Sequence, residues 1–347
     1  MSAGHRQLLE ESVRFFAPQA GRLRGATICV TGASGFLAAS LVAFLDELNR
    51  VAGLNLQLHA SARRPLADVP LFQFLKVAPK VVWTRAAVEE VQVPAAENLI
   101  VIHAASYGSP RDYLREPMAT YAANTQGLVR LMSQQRQLRQ FVYFSSAEIY
   151  GQPPDDQIPT PETYVGGLDT LSVRSIYGES KRMTEVLGVC LGEQQNTPFT
   201  VIRPWNIYGP GQRLDDGRVP VEFIRQAKQD KAIKLASNGT PRRAFCHVWD
   251  AMIQLAATLG HSAKTAAFNI GNATEEISML ELARRCAAAA GSPEKVAFDP
   301  QARAGGLQRC APDVSAVLAL LAPPPAFTPL DVGLATLVEW NDFLAKL

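Results

Sequence analysis

The stretch GATICVTGASGFLAASLVAFLDELNR, residues 25–50, decides the fold. Its opening TICVT is a short apolar run with β-branched residues and reads as a buried strand, whereas from Phe36 onward the apolar residues recur at helical spacing. Between them, TGASGFLA places Gly32 and Gly35 directly after the strand and at the opening of the helix. A dinucleotide fingerprint requires that context. The first glycine permits a tight turn, and backbone amides together with the helix N-terminus then face a pyrophosphate. Ala38 supplies the third small residue, where helix and strand pack closely. On this reading Gly32, Ser34, Gly35, Phe36 and Leu37 are candidate cofactor-binding residues. A tight strand-to-helix turn with no ligand is the competing reading.

Outward from this unit, strand-like runs follow at LNLQLHASA, KVVW, NLIVIHAAS, QFVYFSS and FTVIRPW. Helical patterns lie between several of them, notably MATYAANTQGLVRLMSQQRQ and YGESKRMTEVLGVCLGEQQ. The alternation predicts an α/β chain, a Rossmann-like doubly wound parallel sheet with helices on both faces. From about Trp205 the pattern loosens into loops rich in Gly, Pro and Arg with shorter helices, and reads as a smaller C-terminal α/β lobe that shapes a substrate pocket. The expected division is a helical arm over 1–24, a cofactor-binding domain over 25–204 and a mainly substrate-binding lobe over 205–347.

Composition agrees with one large folded unit or two lobes: 347 residues, 47% hydrophobic and 19% charged. A formal net charge of +2 without a clustered basic stripe argues against a nucleic-acid partner. The five cysteines are scattered, odd in number and without a Cys-x-x-Cys pair, which argues against a disulfide framework or a zinc site and for a reducing compartment. Two glutamates near the start sit where a secretory signal would need an apolar core, and no apolar run of about 18 residues follows. The expectation is a cytoplasmic protein with no membrane partner and no metal.

The end of the second strand bears on the cofactor. An acidic residue there would accept hydrogen bonds from the adenosine ribose, but the chain reads LHASARRPLAD, with Arg63 and Arg64 near that position. Guanidinium groups suit a ribose phosphate, so this stretch leans toward NADP and leaves NAD open. The competing reading makes both arginines solvated loop residues.

In SIYGESKRMTE, residues 175–185, Tyr177 and Lys181 stand four apart and therefore share one helix face. Such a pair arises by chance in many chains. Here it follows, in order, the glycine turn and FVYFSSAEIYG, residues 141–151. With all three in register the chain resembles the extended short-chain dehydrogenase/reductase superfamily, in its subgroup of nucleotide-sugar epimerases, dehydratases and decarboxylases. The likeness runs from Thr27 to about Trp340. It is strongest to the UDP-glucuronate decarboxylase branch, through HAASYGSPRDYLREP, SSAEIYG, RSIYGESKR, NIYGPGQRLDDGRV and FNIGNATEEISMLELA.

The resemblance implies the following roles. Tyr177 takes the proton from a sugar hydroxyl while hydride leaves its carbon for the nicotinamide. A phenol of pKa about 10 is a poor base at neutral pH, so Lys181 supplies a positive charge and also holds the nicotinamide ribose. Ser146 hydrogen-bonds the same hydroxyl, and Glu148 matches a glutamate shared by decarboxylases and dehydratases. A dehydratase would carry an aspartate just before it. Ala147 stands there instead, so elimination of water lacks its acid, whereas a β-keto acid needs less help to lose CO2.

Ala104, Ala105 and Ser106 are expected to line the cofactor, with His103 at a strand end rather than acting as a base. Tyr113 resembles a tyrosine near the sugar carboxylate, Asn206 an asparagine at the nucleotide diphosphate, and Arg243 an arginine that meets the diphosphate. Arg213 and Arg218 are further candidates for phosphate or nucleotide contacts. Two departures weaken the transfer: the missing acid after the second strand, and Thr84 and Arg85 where the family often has an aspartate for the adenine amino group.

The expected substrate is a nucleotide sugar, oxidised at carbon 4, and a homodimer is expected from the resemblance. Beside the decarboxylase stand an NADPH-dependent 4-ketoreductase, a 4-epimerase and a 4,6-dehydratase. A non-catalytic cofactor-binding scaffold is also conceivable, since fold alone proves no activity.

Overall fold

The computed structural model describes residues 4–134, 137–215, 217–229, 232–235, 237–292, 296–298 and 308–347. Its centre is a sheet of seven strands. In chain order they are β1 (Thr27–Thr31), β2 (Gln57–Ala62), β3 (Val82–Arg85), β4 (Leu99–His103), β5 (Gln140–Phe144), β6 (Phe199–Pro204) and an edge strand, Thr265–Ile270. Every pairing is parallel. The lateral order is edge strand, β6, β5, β4, β1, β2, β3.

Every residue of β1, β4 and β5 is buried, as a sheet covered on both faces demands. Side chains alternate between two cores: Ile100 and Ile102 of β4 join one, Leu99 and Val101 the other. The helix Phe36–Ala52 covers the first face. On the second lie the helices Pro117–Ser133 and Ser175–Gln195. The latter presses so closely on β6 that a Cβ at Gly188 would meet the Phe199 ring.

The chain runs one way from β1 to β2 and returns on the other side at β4. At such a reversal a crevice opens beyond the carboxyl ends of the strands, where ligands bind in open α/β sheets. The glycine turn after β1 and the 104–106 segment after β4 therefore face each other there.

The expected boundary at residue 204 is crossed. The edge strand comes from the C-terminal part of the chain, and the helix Val248–Thr258 packs on the helix Phe36–Ala52. The apolar run ending in Phe268 and Ile270 completes the sheet edge, so residues 205–347 divide between the main body and a lobe of small sheets. The N-terminal arm belongs to the body as well. Leu9, Val13 and Phe16 of the helix His5–Phe16 enter the core. Arg22 donates to the carbonyls of Ala257 (2.6 Å) and Leu259 (2.8 Å), satisfying the open end of Val248–Thr258. No described helix is long and apolar enough to cross a membrane.

Candidate active site

Gly32 has φ +70°, and a Cβ there would come within 2.6 Å of the Ala105 Cα. Only glycine allows this approach without strain, and it brings the β1 turn against the backbone after β4. The Gly35 amide donates to the Gly32 carbonyl (2.9 Å), and Gly35 caps the helix that begins at Phe36. The buried hydroxyls of Ser61, at the end of β2, and Ser106 have no hydrogen-bond partner. Unpaired hydroxyls beside a glycine turn and a helix N-terminus fit a nicotinamide dinucleotide, whose ribose and phosphate oxygens would satisfy them. Gly32, Ser34, Gly35, Phe36, Leu37, Ala104, Ala105 and Ser106 thus gather at the crevice.

The two arginines after β2 diverge. Arg64 donates to the Ser34 carbonyl (3.0 Å) and so reaches the glycine turn. Arg63 instead donates to the Tyr107 hydroxyl (2.9 Å) and lies over that ring. Arg85 donates to the Arg63 carbonyl (3.1 Å), adding a third cation to this edge.

The helix Ser175–Gln195 and the end of β5 carry the second group. Tyr177 and Lys181 are buried on one helix face. The Lys181 Nζ donates to the Phe144 carbonyl (2.6 Å) and lies 5.6 Å from the centre of the Tyr177 ring. Ser146 caps the short turn Ala147–Tyr150, accepting from the Glu148 amide (3.2 Å). Burial pushes the Tyr177 phenol up to about 12, the Glu148 charge adds to the rise, and interaction with the Ser146 hydroxyl opposes it. Burial also brings Lys181 down to about 7, against the pull of Glu185. Both groups are desolvated, and the lysine ammonium is engaged by a carbonyl.

Tyr113 is wholly buried and stacks on Tyr177. Burial raises Glu148 above the usual carboxylate range, while Arg174 and Arg218 hold it down. The same two arginines act on Tyr113. Arg174 was missed by sequence reasoning: it sits three residues before Tyr177 at the mouth of the helix, exposed, where no periodicity marks it.

Asn206 takes a left-handed conformation (φ +41°) that an asparagine tolerates. Its amide donates to the Ala244 carbonyl (3.1 Å) and lies 3.6 Å from the Cys310 sulfur. Arg243, half-buried, is in register with Cys310 across a short parallel pairing. These two candidates therefore meet in the C-terminal lobe. Arg213 is held by Asp112 (3.1 Å) and Asp215 (2.9 Å), and Arg111 joins Asp215 (3.0 Å). Through these pairs the loop that carries Arg218 is fastened to the helix Pro110–Arg115, which carries Tyr113. His103 ends β4 as expected. It is buried between Thr31 and the Ala123 carbonyl, and brought down to about 3 by burial and then by Lys181.

A Rossmann-like sheet with a glycine turn at the strand reversal, together with buried Tyr177 and Lys181 on one helix face and half-buried Ser146 after β5, defines the short-chain dehydrogenase/reductase class. Within that class the chain belongs to the NAD dependent epimerase/dehydratase family, whose model matches residues 28–271. It is 34% identical over 184 residues to UDP-glucuronic acid decarboxylase 5 of Arabidopsis thaliana, covering 53% of each chain. It is 30% identical over 241 residues to UDP-glucuronic acid decarboxylase 1 of Danio rerio, covering 69% of this chain and 56% of that one. The chain thus spans about half the length of the curated relatives it matches.

Among solved structures, MoeE5 in complex with UDP-glucuronic acid and NAD superposes with a TM-score of 0.74 at 26% identity, over 93% of this chain and 100% of that one. UDP-glucose 4-epimerase of Thermotoga maritima shares the fold with a TM-score of 0.76 at 20% identity, over 92% of this chain and 99% of that one.

Proposed function

We propose that this chain oxidises carbon 4 of a nucleotide hexuronate and releases CO2 from the product, as a UDP-glucuronate decarboxylase-like lyase. One observation carries the reading above others. The cations Arg174 and Arg218 both act on Glu148 and Tyr113, and Arg218 acts on Tyr177 as well, which would give a sugar carboxylate a cationic seat beside the phenol that would act on its hydroxyl. The relatives named above are decarboxylases of such a substrate, and Ala147 leaves no acid for eliminating water.

In this reading the Tyr177 hydroxyl, once deprotonated, takes the proton of the sugar's 4-hydroxyl, and the Ser146 hydroxyl orients it. A nicotinamide held by the glycine turn of Gly32 and Gly35 and by Lys181 would supply the hydride acceptor for carbon 4. Lys181 must stay charged to favour the phenolate, which burial opposes. Asn206 and Arg243 hold the diphosphate. Once carbon 4 is a ketone, the neighbouring carboxylate is that of a β-keto acid: as CO2 leaves, the bonding pair passes into a 4,5-enolate, and carbon 5 then takes a proton from water before the ketone is reduced.

A second reading, a 4-ketoreductase that exchanges NADPH, is favoured by Arg64 at the glycine turn. Incubation with UDP-glucuronate, without added reductant, separates the two. CO2 and a pentose nucleotide support the lyase; NADPH consumption only with a 4-keto sugar nucleotide supports the reductase. We further assign the chain to homodimers in the cytoplasm. Met118, Tyr121 and Val129 of Pro117–Ser133, and Met183 and Val186 of Ser175–Gln195, expose apolar surface on two adjacent helices. Light scattering at micromolar concentration tests the dimer.

A further inference from the structure

Three consecutive residues at the end of β5 are each tied to the helix Ser175–Gln195. The Phe144 carbonyl accepts from Lys181 (2.6 Å), the Ser145 hydroxyl donates to Glu185 (2.5 Å), and Ser146 interacts with Tyr177. Glu185 lies one helical turn beyond Lys181 on the same face. Its carboxylate is gripped by Arg203 of β6, with Nε at 3.1 Å from one oxygen and Nη2 at 2.7 Å from the other. Arg203 is itself pinned by the Tyr150 hydroxyl (2.8 Å) and the Glu162 carbonyl (2.9 Å). Both members of the ion pair are nearly out of solvent, at 11% and 13% side-chain exposure.

We infer that Glu185, fixed by Arg203, is a positioning residue that aligns the β5 end with Tyr177 and sets an anion one helical turn from the buried Lys181. The geometry favours this over a purely structural ion pair. A buried pair seldom repays its desolvation by attraction alone, and this one directs its carboxylate to the residue next to Ser146. Around Lys181 stand the Phe144 carbonyl, the rings of Tyr143 and Tyr177, His103 and Glu185. Burial holds His103 well below the usual imidazole range, and Glu185, one turn along the helix, is the anion that favours the protonated form of Lys181. Around Glu185 stand Ser145 and Arg203, with Tyr143, Tyr150 and Glu162 near the pair. The inference rests on the catalytic reading of Ser146, Tyr177 and Lys181 given above.

The test uses the full chain and NAD as probe, with binding measured by calorimetry from mildly acidic to alkaline pH in wild type and Glu185→Gln. Wild-type affinity should fall as Lys181 loses its proton. In the variant that midpoint should move about one unit lower, because an opposite charge has been taken from a lysine. Turnover of UDP-glucuronate should fall about tenfold or more. If the glutamine variant leaves Arg203 uncompensated and does not fold, the double variant Glu185→Gln, Arg203→Met removes both charges and should show a smaller displacement in the same direction, because the nearer anion outweighs the cation behind it. An unmoved midpoint, or a wild-type affinity flat over that range, overturns the inference. A displaced midpoint in a protein that decarboxylates nothing would sink the proposed function and leave the positioning role standing.

Discussion

The ring of Tyr113 lies 5.0 Å from that of Tyr177 and within 9° of parallel, so the candidate base is held between its own helix and a wholly buried aromatic plane. Truncating Tyr113 to alanine should cost about 3–5 kcal/mol, as for other buried aromatics, and should lower turnover by loosening Tyr177. Tyr113→Phe keeps the plane and should cost far less. Urea denaturation of both variants checks the ranking, and equal stabilities would contradict it.

Gly32→Ala should abolish NAD binding while the chain still folds. The added methyl would strike the backbone of Ala105, 2.6 Å away, and force the two walls of the crevice apart. Calorimetric titration with NAD, beside a circular dichroism spectrum of native shape, reads this out. Unchanged affinity would place the cofactor elsewhere.

Lys181 carries a stability cost that depends on pH. Its pKa falls from 10.5 to about 7 on folding, so between those values the unfolded chain binds the extra proton. Stability should therefore rise as pH rises from about 7 toward 10, and the cost is fully present below about 7. Lys181→Met should accordingly stabilise the fold at neutral pH by on the order of a few kcal/mol, read as a higher melting temperature, and lose its advantage at alkaline pH. A variant less stable than wild type at neutral pH would contradict the burial argument.

Arg64, rather than Arg63, should govern the choice between NAD and NADP, because it is Arg64 that reaches the glycine turn while Arg63 is spent on Tyr107. Arg64→Ala should weaken NADP relative to NAD, and Arg63→Ala should change the ratio little. Dissociation constants for both cofactors decide the matter; an unaltered ratio in Arg64→Ala removes the case for a ribose phosphate.

The glycine turn, the strand alternation and the Tyr177–Lys181 helix were legible because each is a local pattern with a fixed period or spacing. The return of the chain to the sheet at Thr265–Ile270 was not, since a short edge strand after irregular loops leaves no periodic mark. Long-range pairings were equally silent. Nothing in the sequence distinguishes Arg63 from Arg64, commits Arg213 to Asp112 and Asp215, or joins Glu185 to Arg203 and Ser145. Arg174 stands within RSIYGESKR, but an exposed arginine at a helix mouth resembles any solvated charge.

The most direct test of the account follows carbon 6. UDP-glucuronate labelled there with carbon-13 is mixed with wild type and with Tyr177→Phe, each loaded with NAD, and labelled CO2 is measured. The account predicts CO2 from wild type without added reductant, and a loss of about 100-fold or more in the phenylalanine variant, the scale of one positioned acid–base group. A folded Tyr177→Phe protein that releases CO2 at the wild-type rate would contradict it.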